Sequence, residues 1–256
     1  MGRRLVTTKQ KYPQPINAEG AKVIRLKNAP SPKNNSQSFY LDSLETAKLT
    51  IGTGPAGSGK SFLAMYVAVQ KLLNNEVERV VITRPVVEAG ESLGFLPGTL
   101  EDKISPYLLP LLDALTDLVG PTMAKKLLDD KRIEFAPLAF MRGRTFNFAY
   151  VILDEAQNTS IEQMKLFVTR IGEGSQFTVN GDITQSDLRG VPENGLEWVV
   201  RKLRGVSPDI NVIEFQNADV VRSEIVRTIL QYLDTPEPRT SRRTNDRTDG
   251  SLLQRA

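Results

Sequence analysis

Residues 49–61 read Leu49-Thr50-Ile51-Gly52-Thr53-Gly54-Pro55-Ala56-Gly57-Ser58-Gly59-Lys60-Ser61, an apolar run that passes straight into a GxxxxGK[ST] loop. A helical pattern follows over residues 60–74, so the motif stands in strand, loop, helix order. Its three glycines let the backbone wrap a phosphate with the amide donors inward, which a Cβ would obstruct, and the helix behind points its positive end at the same anion. Gly54, Pro55, Ala56, Gly57, Ser58, Gly59, Lys60, Ser61 and the adjoining Phe62 are therefore the candidate nucleotide cradle. In such a loop the lysine reaches the β- and γ-phosphates and the hydroxyl coordinates Mg²⁺, which assigns those roles to Lys60 and Ser61.

Outward from this loop, short β-rich runs at 49–53, 79–83, 133–136, 150–153, 177–180 and 212–215 alternate with helical patterns at 60–74, 100–118, 121–129, 160–171, 193–203 and 220–233. Alternation of this kind, with strands that are almost continuously apolar, predicts an α/β fold whose parallel strands are buried under helices on both faces. Gly205-Val206-Ser207-Pro208 breaks the chain before the last strand, and Thr235-Pro236-Glu237-Pro238 ends the fold. An open parallel sheet binds its ligand at the carboxyl ends of the strands, so the residues just past each strand are where chemistry is expected.

The run Tyr150-Val151-Ile152-Leu153 ends in Asp154-Glu155-Ala156-Gln157. Beside a phosphate loop, a carboxylate at the end of a buried strand can hold the Mg²⁺ shell, and a second can polarise the attacking water. Asp154 takes the first role and Glu155 the second; the alternative is a pair of acidic residues favouring the dipole of the helix that starts near Asn158, Thr159 or Ser160. The run 177–180 passes into Gly181-Asp182-Ile183-Thr184-Gln185. Gln185 can donate and accept at once, which suits it to touch a γ-phosphate or its water. Asp182 either supports it or bonds the turn locally, and the turn is preferred.

Composition narrows the chemistry. The 256 residues contain no cysteine and no histidine, which excludes disulfides, thiolate and imidazole metal sites, and the Ser/His/Asp and Cys/His catalytic sets. With no apolar run of about 18 residues and no apolar stretch near Met1, a membrane role is not expected and the cytoplasm is the predicted compartment. The net charge of +3 is unevenly spread: +7 over residues 1–36, about −6 over the middle and +2 over residues 235–256. This predicts a basic, mostly flexible arm (1–36), an ATPase-sized domain (37–234) and a disordered tail (235–256). Basic arms can bind nucleic acid, although solvated tails of this kind also occur in proteins that do not.

With GPAGSGKS, LDEAQN and GDITQ in order, the sequence resembles the PhoH family of ATPases, related to the motor core of superfamily one helicases. The likeness extends to residues 84–98 (RPVVEAGESLGFLPG), to 136–145 (APLAFMRGRT) and to Asp219-Val220-Val221-Arg222, and so covers nearly all of 37–233. The resemblance implies a RecA-like P-loop NTPase, a three-layer sandwich with a mainly parallel sheet, using ATP and Mg²⁺ in the cytoplasm of a bacterium or an infected host. It implies that Gln37, in Asn34-Asn35-Ser36-Gln37, reads adenine, the alternative being a polar linker residue. It implies that Arg222 completes an ATP site, from a neighbouring subunit, where a guanidinium offers two parallel donors to the transferring phosphoryl group; the alternative is a surface arginine opening the last helix. Departures are Ser61 for a frequent threonine, Ser223 for a common histidine, and Ser186-Asp187-Leu188-Arg189-Gly190 where a proline-containing turn is usual, which makes Arg189 an additional candidate finger or sensor.

Superfamily one helicases close an ATP site with two motor domains, and this chain has the length of one. A ring with the site between subunits follows, and the resemblance points to a hexamer. The segment 100–118 is too apolar for a solvated helix and covers either the sheet or a neighbouring subunit. Single-stranded RNA or DNA is the implied substrate. Arg84, Arg142 and Arg144 are the candidate phosphate contacts, with Phe140 or Phe146 available for stacking, and the alternative is an internal ion-pair network with Glu88 and Glu91. Two functions remain: a nucleic-acid-stimulated ATPase motor that unwinds or translocates, and an ATP-gated assembly module with slow hydrolysis.

Overall fold

The computed structural model describes residues 30–85, 100–188 and 190–221, together with Leu26 and the helical positions 225, 226 and 229; for residues 100–107 it describes the backbone alone. Residues 1–221 form one compact unit, and residues 222–256 fall in a second.

The first element is helix α1 (Asn35–Thr46), which no sequence pattern had marked. The Asn34 side chain caps it by accepting the Gln37 N–H, and its inner face presents Tyr40 and Leu44 to the core. Strand β1 (Leu49–Thr53) follows, buried at every position, and leads through the phosphate loop into helix α2 (Lys60–Leu73). The chain continues through β2 (Arg79–Thr83), α3 (Leu100–Val119), α4 (Pro121–Asp129), β3 (Ile133–Phe135), β4 (Ala149–Leu153), α5 (Ile161–Val168), β5 (Gln176–Gly181), α6 (Gly195–Leu203) and β6 (Ile210–Glu214). Helix α4 starts with proline at its first turn, where the missing N–H costs nothing. Helix α5 opens with a reciprocal box between Ser160 and Gln163. It stops earlier than the predicted residue 171 because Thr169 Oγ1 and Arg170 Nε bond back to the carbonyls of Lys165 and Leu166.

All described strands run parallel, in the order β3-β2-β4-β5-β1-β6. Alternate residues of a strand point to opposite faces, and two apolar cores form accordingly. Val80, Ile82, Tyr150 and Ile152 join Leu63, Val67, Leu111 and Leu115 on the face covered by α1–α4. Val81, Val151 and Leu153 join Met164, Phe167, Leu196 and Val199 on the face covered by α5 and α6. This is the three-layer α/β/α sandwich expected from the sequence, with the sheet wholly parallel among the described strands. Leu111, Leu115 and Leu118 are buried in the first core, so this part of α3 covers the sheet.

The strand order matters for the site. β5 lies between β1, which carries the phosphate loop, and β4, which carries the acidic pair. The chain leaves β1 for β2, three strands away, and later returns to β1's other edge with β6. The crevice at the carboxyl end of β1 is thus a topological switch point, where open parallel sheets bind ligands.

Candidate nucleotide site

Gly54 has a φ of 133°, and a Cβ there would stand 2.3 Å from the Phe215 carbonyl oxygen at the end of β6. Only glycine fits this contact. At the other end of the loop, Gly59 caps α2 in the left-handed region at φ 89°. Between them, two carbonyls are fastened from outside: the Gln37 amide Nε2 donates to Ser58 O at 3.0 Å, and the Val221 N–H donates to Gly57 O at 3.0 Å. A trans peptide directs its N–H opposite to its carbonyl, so these bonds turn the N–H groups of Ser58 and Gly59 away from their outer partners. A loop with amides aimed inward is what an oxyanion requires.

Gln37 is therefore a buried brace on α1, with its Oε1 accepting the Lys33 N–H at 2.8 Å, and the polar-linker alternative is overturned. Its fastening of Ser58 was not anticipated.

Lys60 is buried, and its Nζ donates to Gly54 O, Pro55 O and Ser58 Oγ at 2.7–3.0 Å. Burial lowers its pKa from the usual lysine value, opposed by Asp182, Asp154 and Glu155. Ser61 Oγ donates to Asp154 Oδ1 at 2.7 Å, which joins the first residue pair expected to share a metal. Both residues line, with Lys60, Phe62, Glu155, Asp182 and Gln185, a cleft of about 270 Å³ at the carboxyl edge of the sheet.

Asp154 is buried, whereas Glu155 is half exposed and left-handed at φ 54°. A non-glycine residue in that region is strained by about 1–3 kcal/mol and persists only where its surroundings hold it. The Asn158 N–H bonds the Glu155 carbonyl at 3.0 Å, and Gln157 holds the side chain. Its Nε2 donates to Glu155 Oε2 at 2.7 Å, and its Oε1 accepts the Asp182 N–H at 3.1 Å. The fit is close, because a Cβ on Gly181 would come 2.5 Å from Gln157 Oε1. The loops after β4 and β5 are joined further by two bonds between Asn158 and Asp187 and by Ser186 Oγ donating to Gln157 O. Gln157 is the site residue that the motif reading missed; the only signal was its place two residues past Glu155, and its role depends on β4 and β5 being neighbours.

Asp182 bonds its own turn through Thr184 N–H and Oγ1, as preferred from sequence. Its other oxygen, Oδ2, is buried without a hydrogen-bond partner. Gln185 is exposed at the cleft.

The candidate nucleic-acid residues separate. Arg84 turns to the acidic pair: Nε and Nη2 reach Asp154 Oδ2 at 3.1 and 2.5 Å, and Nη2 lies 3.6 Å from Glu155 Oε1. Arg144 makes a two-pronged bond to Glu134 at 2.8 and 3.0 Å and stacks 4.6 Å from the Phe146 ring centroid. That pair holds Glu134 below the ordinary carboxylate range, mainly through the hydrogen bonds from Arg144. Phe146 is fully buried, which corrects its expected availability for base stacking. Arg142 and Phe140 are both exposed. Arg222, Arg189, Ser223, Glu88 and Glu91 lie outside the described residues, as does most of the 84–98 segment. Among the described residues no helix is long and apolar enough to cross a membrane.

A PhoH-like protein of Mycobacterium tuberculosis H37Rv is 50% identical over 208 residues, 81% of this chain and 59% of that one. The PhoH-like protein of Bacillus subtilis is 46% identical over 218 residues, 85% and 66% of the two chains, and Protein PhoH of Escherichia coli K12 is 42% identical over 204 residues, 78% and 57%. The chain thus spans less than two thirds of the length of each of these relatives. Among solved structures, the UvsW helicase of bacteriophage T4 aligns with a TM-score of 0.46 and 12% identity over 77% of this chain and 64% of that one. The large terminase of a thermophilic bacteriophage aligns at 0.47 and 14% over 77% and 48%. The family described as PhoH-like protein matches residues 30–234. With its phosphate loop, acidic strand end and glutamine loop around one cleft, the chain belongs to the PhoH family of P-loop proteins.

Proposed function

We propose that the chain is a Mg²⁺-dependent ATP hydrolase that works as a ring and couples turnover to single-stranded RNA or DNA. The observation that carries the hydrolase is the meeting of Lys60, the Ser61–Asp154 pair and Glu155 in one cleft. The donor set fits a hard divalent ion: a hydroxyl and a carboxylate 2.7 Å apart, with Asp182, whose buried Oδ2 has no hydrogen-bond partner, among the residues of the same cleft. When bound, Mg²⁺ neutralises charge on the β- and γ-phosphates.

The chain's own groups do the rest. Inward amides of the loop bind phosphate oxygens, and Lys60 exchanges its bonds to Gly54 O and Pro55 O for the β- and γ-phosphates. Ser61 and Asp154 would hold the metal. Glu155, steadied by Gln157, takes the proton of the attacking water at its carboxylate, and Gln185 orients that water. Arg222, reaching in from a neighbouring copy, meets the charge that spreads over the transferring group. With Arg222 supplied in this way, a closed ring, hexameric by family resemblance, is part of the proposal. The basic arm and the exposed Arg142 and Phe140 are the groups proposed to meet nucleic acid.

The test is phosphate release with and without single-stranded RNA and DNA, followed by mixing Arg222→Ala with Lys60→Ala protein. Stimulation by nucleic acid, and recovery of activity in the mixture, are expected. Hydrolysis that no nucleic acid stimulates would leave the ATP-gated assembly module, a reading favoured by the acidic middle of the chain. Failure of the mixture to recover activity would remove the shared site.

A further inference from the structure

Arg84 is the first residue past β2, and it stands beside the acidic pair because Thr83 aligns with Leu153 and the Asp154 N–H bonds Thr83 O at 2.9 Å. Both oxygens of Asp154 are engaged. Oδ1 accepts from Ser61 Oγ, itself a candidate metal ligand, and Oδ2 accepts two guanidinium bonds at 3.1 and 2.5 Å. The side chains are only 16% and 3% exposed, so water screens this pair little. The same Nη2 lies 3.6 Å from Glu155 Oε1, and one guanidinium thus serves both carboxylates of the site.

We propose that Arg84 is the resident cation of the Asp154–Glu155 pair and competes with divalent metal for Asp154, so that metal enters only together with the phosphates of a nucleotide. This rests on the reading of Asp154 as the metal-holding carboxylate. A divalent ion brought alone to Asp154 either meets the guanidinium at close range, which is repulsive, or displaces it from two charge-assisted bonds. Losing two charge-assisted bonds in a partly buried place is costly, and the ion alone supplies no anion to replace them. Nucleotide phosphates change the balance, because their negative charge attracts the metal and gives the displaced guanidinium a new anion nearby. Arg84 thereby selects the metal–nucleotide complex over the free ion, and it is a positioning residue for Asp154 and Glu155 rather than a nucleic-acid contact.

The experiment titrates Mn²⁺ into nucleotide-free protein and reads free Mn²⁺ by electron paramagnetic resonance, with circular dichroism confirming the fold of each variant. Relative to wild type, Arg84→Gln should bind Mn²⁺ about ten- to a hundredfold more tightly without nucleotide. Adding Asp154→Asn should cancel the gain, and Arg84→Lys should lie between wild type and Arg84→Gln. Equal affinity of wild type and Arg84→Gln overturns the proposal. Should Arg84→Gln fail to fold, wild type decides: Mn²⁺ binding as tight without ADP as with it overturns the proposal, and binding that needs ADP supports it. If wild type binds no Mn²⁺ even with ADP, the metal reading of Asp154 fails, and this inference fails with it.

Discussion

Replacing Gln157 by leucine separates the support of the proposed catalytic carboxylate, Glu155, from the carboxylate itself. Gln157 is buried and uses both ends of its amide, one on Glu155 Oε2 at 2.7 Å and one on the Asp182 N–H at 3.1 Å. Leucine fills similar space but leaves the Asp182 N–H, a buried backbone donor, unpaired; the stability cost is about 1–3 kcal/mol. Glu155 is half exposed and can turn to water, so its lost bond adds less to stability than to geometry. Freed from the left-handed turn's brace, the carboxylate samples positions about 1 Å from the productive one, and turnover should fall about 10- to 100-fold. ATP affinity should stay within about threefold, because Lys60, Ser61 and the loop amides make no hydrogen bond to Gln157. The assay is steady-state phosphate release with ATP affinity measured separately, for wild type, Gln157→Leu, Glu155→Gln and the double variant. If Gln157 acts through Glu155, the second substitution adds little to the first. Unchanged turnover in Gln157→Leu, or full additivity in the double variant, would refute the reasoning.

Two further outcomes bear on the fold that carries the site. Gly54→Ala places a Cβ 2.3 Å from Phe215 O at a positive φ and should cost at least about 1–3 kcal/mol along with nucleotide binding, whereas Gly143→Ala, also at positive φ but with nothing within 4 Å of its Cβ, should cost less and leave binding intact; chemical denaturation and nucleotide titration read both. The Arg144–Glu134 pair holds the Glu134 pKa down, so its stabilisation is present at neutral pH and is lost as pH falls through the lowered value; Glu134→Gln should remove the contribution of a partly exposed pair, about 0.5–1 kcal/mol at pH 7, and flatten the acid side of the stability profile.

What could be read in advance follows the range over which each interaction acts. The phosphate loop, the acidic strand end and most strand positions are local patterns, and each appears where its residues predicted. Helix α1 escaped because it has few large apolar residues and follows a basic, polar stretch, although Asn34 as a cap and the spacing of Tyr40 and Leu44 were its visible signals. Gln37 was noticed by resemblance, yet its bond to Ser58 O spans 21 residues and needs α1 packed beside the loop. Arg84 and Gln157 are harder still. Their partners are set by which strands lie side by side, with β2 next to β4 and β4 next to β5, and strand order is not written in the spacing of any motif. Phe146 was expected to be available for stacking beside Arg142 and Arg144, but it packs against Phe177 inside the second core.

Glu155 is proposed to drive the hydrolysis of a nucleotide held by the loop and Asp154. Glu155→Gln keeps the side chain's size and removes its basicity, so the most direct measurement is ATP binding and single-turnover hydrolysis on the same preparation of that variant. The account predicts ATP affinity within about threefold of wild type and hydrolysis slower by at least about a hundredfold. Hydrolysis at the wild-type rate would contradict it.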